Sequence, residues 1–307
     1  MIKAAKGDIK AAYGNEEYIL IQAINAFNES SRSYNLMYER LSEWFGIYFP
    51  EVKVASPAVL AELAISMCNG EELDRKTIEK IVDDPEKAES IFEKAKETMG
   101  RKPEGDEKDA VAAFAGLAKD MGKGIQGLDE YIKSAAKRIM PNVTHLTEDK
   151  IAAELLAKAG SLERMATMPA STIQLLGAEK ALFKHIKFGS KPPKYGIIFK
   201  LPAVTAAQRE KKGMVARAYA TKIAIAVKAD YFTKKFIADK LKESLDGSIE
   251  KITAKEVAPK SYQQFNDRRR GSGPQRGGSR GGRQGAGKRF RPGGRRNQDG
   301  NQQQPSW

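Results

Sequence analysis

Two long heptad repeats constrain the fold of this 307-residue chain more than any other feature of its sequence. In one repeat, apolar residues recur in alternating steps of three and four from Val111 to Ile139 without a gap. The other runs from Tyr13 to about Phe49, where Pro50 ends it, with an interruption at Ser30. Because this spacing keeps apolar side chains on one helix face, the repeats predict an antiparallel pair of long helices packed as a coiled coil.

The second of these helices carries four glycines, each of which costs about 1 kcal/mol relative to alanine in a helix interior. Burial of the apolar seam, in which the larger residues contribute roughly 1.5 to 3 kcal/mol each, outweighs that cost. The helix is therefore expected to hold only when packed, and close contact with its partner helix is one reason for glycine here. The four are Gly116, Gly122, Gly124 and Gly127.

The rest of the folded chain is also predicted to be helical, so the fold class is all-α. Between the repeats, Ser56-Pro57 and Asp84-Pro85 each predict a cap and first turn of a short helix. Later, residues 206–230 suit a core helix and residues 231–245 a final amphipathic helix. Three parts are expected: a coiled-coil domain over 1–140 with a helical tip over about 50–105, a second helical domain over 141–258, and a disordered tail over 259–307.

A stripe of lysines is the first candidate binding feature. Lys180, Lys184 and Lys187 fall within roughly 40° of one another on a helix predicted from Ala178 to about Phe188, which favours a polyanionic ligand. The apolar residues of this helix take another side, so it is predicted to pack on a core and hold its cations outward. A solvated lysine face that binds nothing is the alternative. The apolar residues are Leu182, Phe183 and Ile186.

Further cations follow this helix. Lys191 and Lys194 bracket two prolines, which stiffen the backbone and limit the entropy lost when those charges meet a ligand. At the start of the later core helix, Arg209, Lys211 and Lys212 are candidate phosphate contacts.

The carboxyl-terminal segment concentrates the positive charge. From Pro259 onward there are 12 Lys and Arg against 2 Asp, in a chain whose formal net charge is +14. Its Gly, Arg, Gln, Asn and Pro residues cannot bury enough apolar surface to fold, so it is predicted to be disordered and to track RNA by charge. A solubility tail without a ligand is the alternative. The residues predicted to contact RNA are Arg276, Arg280 and Arg283, with Phe290 and Trp307 stacking on bases.

No pattern in the sequence predicts catalysis, a cofactor or a metal. With only His145, His185 and one cysteine, neither a zinc site nor a Cys/His nucleophile is credible. Residues 122–127 spell GxGxxG, but the heptad repeat runs through them and no strand precedes them, as dinucleotide binding requires. Because Cys68 is alone and no segment suits a bilayer, a cytoplasmic location is predicted.

Two motifs resemble the signature of the Nop domain family. Gly177-Ala178-Glu179-Lys180 is followed by Ala181-Leu182-Phe183, and Lys191-Pro192-Pro193-Lys194-Tyr195-Gly196 comes next. The resemblance, which extends to about residue 245, implies an all-helical module that recognises a kink-turn RNA already bound by a small ribosomal-type protein. It implies that residues 177–180 face that junction and residues 181–184 the end of the guide duplex. Lys184 stands where the family has arginine, so a bidentate fork becomes a point charge.

The resemblance also implies a non-catalytic scaffold of an archaeal-type box C/D ribonucleoprotein that directs 2′-O-methylation of RNA. Two copies would pair through the coiled coil, and fibrillarin, which carries S-adenosylmethionine, would transfer the methyl group. The family's amino-terminal fibrillarin-binding domain is not recognised, so a separate chain supplies it, the particle holds the methyltransferase differently, or the start is truncated. A kink-turn clamp of another particle, akin to the spliceosomal relative, and a general RNA-binding protein acting through its tail remain open.

Overall fold

The computed structural model describes residues 15–69 and 73–255, and all regular structure in those ranges is helical, which confirms the predicted all-α fold. A 3₁₀ turn at Ile197–Lys200 and a π turn at Ala229–Thr233 join the later helices. The predicted RNA-binding tail lies outside the described residues, within which no helix has the length and apolar character needed to cross a membrane. The helices are α1 (Glu16–Tyr48), α2 (Pro57–Cys68), α3 (Arg75–Ile81), α4 (Pro85–Lys96), α5 (Asp106–Ile139), α6 (Pro141–Leu146), α7 (Asp149–Ala159), α8 (Leu162–Thr167), α9 (Ala170–Leu175), α10 (Glu179–Phe188), α11 (Pro202–Ala206), α12 (Lys212–Lys228) and α13 (Ala238–Ala254).

The long helices α1 and α5 pack against each other in opposite directions. At one end the Arg138 guanidinium lies 3.4 Å from the Glu16 carboxylate, which joins the start of α1 to the end of α5. At the other end the rings of Trp44 and Phe114 meet edge to face, with centroids 5.8 Å apart. The antiparallel pairing is therefore as predicted, while a supercoil of the pair stays a prediction.

Two hydrophobic clusters hold the helices together, and both draw on α1 and α5. The tip cluster joins the end of α1, for example Phe45, to the start of α5 at Val111 and to the short helices α2–α4. The basal cluster joins Leu20 and Ile132, at the opposite ends of the long helices, to the helices that follow α5. Between the clusters, no residue over 25–40 or 119–131 is buried. The predicted domain boundary at residue 140 stays a prediction, because the basal cluster contains residues from both sides of it.

The buried carboxylate of Asp230 fixes the end of α12. Its Oδ1 accepts hydrogen bonds from the Asn142 backbone N–H at 3.1 Å and side-chain amide at 2.6 Å, and its Oδ2 accepts one from the Val143 N–H at 3.1 Å. Burial raises the pKa of Asp230 above its ordinary value of 3.8, and these hydrogen bonds oppose the rise.

Two sequence-predicted helix bounds are wrong in this region. The core helix begins at Lys212 rather than at residue 206, because α11 and a non-helical segment come first. The final helix begins at Ala238 rather than at Tyr231, because Lys234 has a left-handed backbone with a φ of 54° that interrupts any helix. Residues 231–233 complete the π turn and residues 234–237 are not helical, although their side chains follow an amphipathic pattern.

A candidate nucleic-acid interface

Helix α10 lies on the surface with none of its residues buried. Leu182 is half-buried, but Phe183 and Ile186 are 60% and 74% exposed, so the prediction that these two pack on a core is wrong. The reason is that α10 lies inside an excursion of the chain whose two ends are joined, which leaves its middle without a covering layer. The apolar residues of α10 are therefore available to a partner.

Backbone hydrogen bonds close this excursion, residues 177–196, at its base. The Ile197 N–H donates to the Leu176 carbonyl at 2.7 Å, and the Gly196 N–H donates to the Gln174 carbonyl at 2.9 Å. The Gln174 side-chain amide adds a bond of 2.6 Å to the Lys194 carbonyl. A Cβ on Gly196 would lie 1.9 Å from the Leu176 oxygen, so only glycine permits this approach. The base holds α10 in place before any ligand binds.

Local bonds also fix both ends of α10. At its start, the Glu179 carboxylate accepts a hydrogen bond of 2.7 Å from the N–H of Gly177, whose φ of +87° is left-handed. At its end, the left-handed Gly189 N–H donates to the His185 carbonyl at 2.9 Å, and the His185 Nδ1–H donates to the Ser190 carbonyl. Gly177 and Glu179, predicted to face a ligand, thus set the backbone from which Lys180 projects.

The three lysines of the stripe are all exposed on α10, beside aromatic rings. The Lys187 ammonium lies 5.7 Å from the ring centroid of Phe183 and 5.4 Å from that of Phe188, which is itself 71% exposed. Ammonium groups attract phosphates, and exposed rings stack on bases or contact apolar surfaces. Phe188 is not among the binding residues predicted from the sequence, although its place one residue after Lys187 is a usable signal.

A second group of cations lies at the start of α12. The aliphatic stem of Lys194 crosses this turn, because a Cβ on Gly213 would lie 3.5 Å from the Lys194 Cδ. Arg209, three residues before the start of α12, and Lys191, three residues before Lys194, are also exposed. The first turn of α12 has no side-chain cap, so its backbone N–H groups add positive potential to that of Lys194.

Two of the lysines near this turn are engaged within the protein. The Lys212 ammonium donates to the Thr205 carbonyl at 2.8 Å and lies 5.1 Å from the ring centroid of Phe199, which stacks on Tyr195. Lys211 is buried and donates to the Thr253 carbonyl at 2.7 Å, so its interpretation as a phosphate contact is wrong. Sequence alone does not distinguish a buried lysine from the exposed lysines beside it.

Comparisons with known proteins agree on one family. A family model named Nop and described as "snoRNA binding domain, fibrillarin" matches residues 27–251. An uncharacterized NOP5 family protein of Methanocaldococcus jannaschii is 37% identical over 254 residues, which is 82% of this chain and 61% of that protein. Nucleolar protein 56 of Bos taurus is 29% identical over 265 residues, 84% of this chain and 44% of that protein. This chain thus spans less than two thirds of either relative.

A solved structure and the names of two relatives give further information. A crystal structure of a fibrillarin/Nop5p complex aligns with a TM-score of 0.48 and 22% identity, covering 81% of this chain and 74% of that one, a likeness too weak to carry an argument. Relatives from Bos taurus and Homo sapiens are named for the nucleolus. That finding overturns the predicted cytoplasmic location, which rested only on a lone cysteine and the lack of a bilayer segment.

Proposed function

This chain belongs to the Nop family, and from that membership together with the surface of α10 we propose that it is an RNA-binding scaffold of a box C/D guide ribonucleoprotein. The particle directs 2′-O-methylation of RNA, and this chain recognises a kink-turn RNA that already carries a ribosomal-type protein. Its own role is structural. Methyl transfer belongs to fibrillarin, a protein that the description of the family model mentions.

The observation that carries the proposal is the combination of charge and apolar surface on α10. Lys180, Lys184 and Lys187 are exposed together, and Phe183 beside them is 60% exposed. A ligand made only of phosphates would not need the rings, and an apolar protein partner would not need three ammonium groups. An RNA junction dressed with a protein offers phosphates, a terminal base pair and apolar side chains at one place.

Rigidity supports the same conclusion. Because the 177–196 excursion is closed at its base and α10 is fixed at both ends, little conformational entropy is lost on binding. We place residues 177–180 at the junction of RNA and protein. Residues 181–184 lie at the end of the guide duplex, and Lys191, Lys194 and Arg209 at flanking phosphates.

Pairing of two copies through α1 and α5 is part of the proposal. Between the tip and basal clusters these helices bury no residue, and Leu36 in this stretch is 66% exposed. A second copy that covers this stretch supplies the apolar contacts that two helices alone do not provide.

The test is a gel-shift comparison of bare kink-turn RNA with the same RNA preassembled with its ribosomal-type protein. Unmodified protein is expected to prefer the assembled complex. The Lys180→Glu, Lys184→Glu double variant is expected to bind that complex at least about tenfold more weakly, because two attractive phosphate contacts become repulsive. Its preference over bare RNA is expected to disappear.

A matched control distinguishes the effect of changing the α10 site from the effect of changing the net charge. Lys76→Glu with Lys80→Glu on α3 has the same spacing and charge change on exposed lysines far along the chain from α10. This control should retain the preference, and loss of preference in the control alone, or in neither variant, would reject α10 as the site. Sequencing of copurified RNA then decides between box C/D guides with antisense spacers and the RNA of another kink-turn particle.

A general RNA-binding protein that acts through its tail is the second candidate, favoured by the charge of residues 259–307. It predicts that deletion of those residues abolishes RNA binding. The α10 proposal predicts instead that the deletion weakens affinity and its salt dependence while the preference for the assembled complex survives.

A further inference from the structure

We propose that the turn between α12 and α13, residues 231–236, is a second RNA-binding surface, one that takes unpaired nucleotides. This aromatic turn reads Tyr-Phe-Thr-Lys-Lys-Phe, with three aromatic residues, two lysines and no aliphatic residue. Phe232 is 63% exposed and Phe236 is 55% exposed. Scattered exposed apolar residues are normal, but two phenylalanines displayed with lysines in one short turn indicate a ligand.

The backbone of the aromatic turn is firmly anchored. Asn142, itself held by Asp230, accepts a hydrogen bond of 2.6 Å from the Ile237 N–H and donates one of 2.9 Å to the Lys235 carbonyl. The Lys234 N–H donates to the Ala229 carbonyl at 2.8 Å, which maintains the left-handed backbone of Lys234. The exposed rings are therefore presented on a rigid frame, so stacking a base on them costs little ordering of the protein.

Charge around the turn favours nucleic acid over protein. Residues 228–242 contain five lysines and two aspartates. Of the aspartates, Asp230 is buried and Asp239 lies 3.2 Å from the His145 imidazole. Lys228 and Lys235 are exposed and form no ion pair within the described part of the chain. Because lysine is depleted at protein interfaces, whereas lysine with aromatic residues is typical of single-strand binding, unpaired RNA is the better match.

An open cleft of about 560 Å³ adjoins the turn at Phe236. The edge of the His145 ring meets Phe236 with centroids 5.5 Å apart, and Thr144 and Lys137 also line the cleft. The volume is in the range of small-ligand sites, and the lining offers both donors and acceptors for a base edge. The carboxylates of Glu148 and Asp149 line it too, which disfavours phosphate there, so a splayed base is the expected occupant.

The aromatic turn is separate from the α10 surface. Helix α12 begins beside Lys194 and ends at the turn, and its 17 residues span about 25 Å. RNA bound at α10 therefore reaches the turn only if it extends beyond the part that α10 contacts. The inference rests on the proposed function only in taking RNA as the ligand.

Photo-crosslinking of the 307-residue chain tests the inference. The probe is an oligouridine of about twelve nucleotides that contains 5-iodouridine and has no kink-turn, and crosslinked residues are identified by mass spectrometry. Crosslinks at Phe232 or Phe236 are expected. The Phe232→Ala, Phe236→Ala double variant should lower that yield by about tenfold or more, and the double leucine variant should lower it similarly because leucine has no ring to stack. A control with Met99→Ala, at an apolar residue that is 88% exposed and lies outside the helices proposed to pair, should retain it.

Absence of crosslinks from residues 229–240 in the unmodified protein would overturn the inference, and this result does not depend on how any variant folds. Full crosslinking by the leucine variant would also overturn it, since contact with RNA at the turn would then not depend on stacking of bases on the rings. The phenylalanine variants should keep their preference for the assembled kink-turn complex. Loss of the α10 preference together with crosslinks at the turn would reject the proposed function and retain this surface.

Discussion

At the scale of single residues, the geometry of Gly177 is the feature on which the candidate interface depends. Its φ of +87° is left-handed, and an added Cβ would lie 2.7 Å from Ile197 Cγ1. Gly177→Ala should therefore strain the backbone by about 1–2 kcal/mol and push on Ile197 at the base of the excursion. A lower melting temperature and weaker binding of the assembled complex are expected, measured by thermal denaturation and gel shift.

The control for this substitution is Gly247→Ala. Gly247 lies within α13 with no atom within 4 Å of an added Cβ, so alanine there should raise stability by about 0.5–1 kcal/mol. Equal melting temperatures for the two variants would contradict the assigned role of Gly177.

Sequence reasoning at this scale succeeded for spacing and failed for burial. Periodicity predicts that Lys180, Lys184 and Lys187 share a stripe, because helical geometry alone decides it. The burial of Lys211 and the exposure of Phe183 depend on which segments pack nearby. Those contacts come from distant parts of the chain, such as Thr253 for Lys211.

At the scale of elements, the glycines of α5 differ in what surrounds them. A Cβ on Gly122 would lie 2.9 Å from the Tyr34 hydroxyl of α1, whereas one on Gly116, Gly124 or Gly127 would have no atom within 4 Å. Contact with the partner helix within the chain thus accounts for Gly122 alone among the four.

This difference predicts an order of stabilities. Gly124→Ala should raise the free energy of unfolding by about 0.5–1 kcal/mol, through helix propensity alone. Gly122→Ala should raise it less, because the ring of Tyr34 must move. Chemical denaturation of both variants measures the difference in the free energy of unfolding. Equal increases would mean that the contact between Gly122 and Tyr34 does not limit how closely α5 packs on α1.

Helix bounds could be predicted from the sequence where a long apolar repeat marks the helix. They could not be predicted where hydrogen bonds to a distant residue determine the backbone conformation. The heptad repeats predict α1 and α5 nearly to their ends. The segment from Tyr231 has an amphipathic pattern but is a turn, because Asn142, almost ninety residues earlier in the chain, holds it in another conformation. Hydrogen bonds between residues so distant in sequence produce no periodic pattern of apolar residues.

At the scale of the whole molecule, the N-cap aspartates of the tip helices and the buried Asp230 respond to acid in opposite directions. Asp74 and Asp84 cap α3 and α4 at the tip, and hydrogen bonds from Thr77 and Lys87 respectively lower the pKa of each below 3.8. Their stabilising effect is present above pH 3.8 and is lost as pH falls through the lowered pKa. Burial raises the pKa of Asp230, so its effect has the opposite sign: it favours folding in acid and is lost as pH rises through the raised pKa.

Hydrogen exchange, corrected for the intrinsic pH dependence of the rates, checks this prediction. On acidification below pH 3.8, amides of α3 and α4 should lose protection, while amides of α6, beside Asp230, should keep it. Asp84→Asn retains an N-cap acceptor without a titrating group and should remove the pH dependence of α4. Loss of protection in α6 at the same pH as in α4 would contradict the opposite signs.

Because the two ends of the 177–196 excursion are joined, α10 can be replaced as a unit. Because the chain leaves the body and returns to it at neighbouring points, a helix of different length or chemistry fits on the same foundation without repacking the interior. Grafting is then a practical route to altered RNA choice, with the glycines at the base as the junctions to preserve.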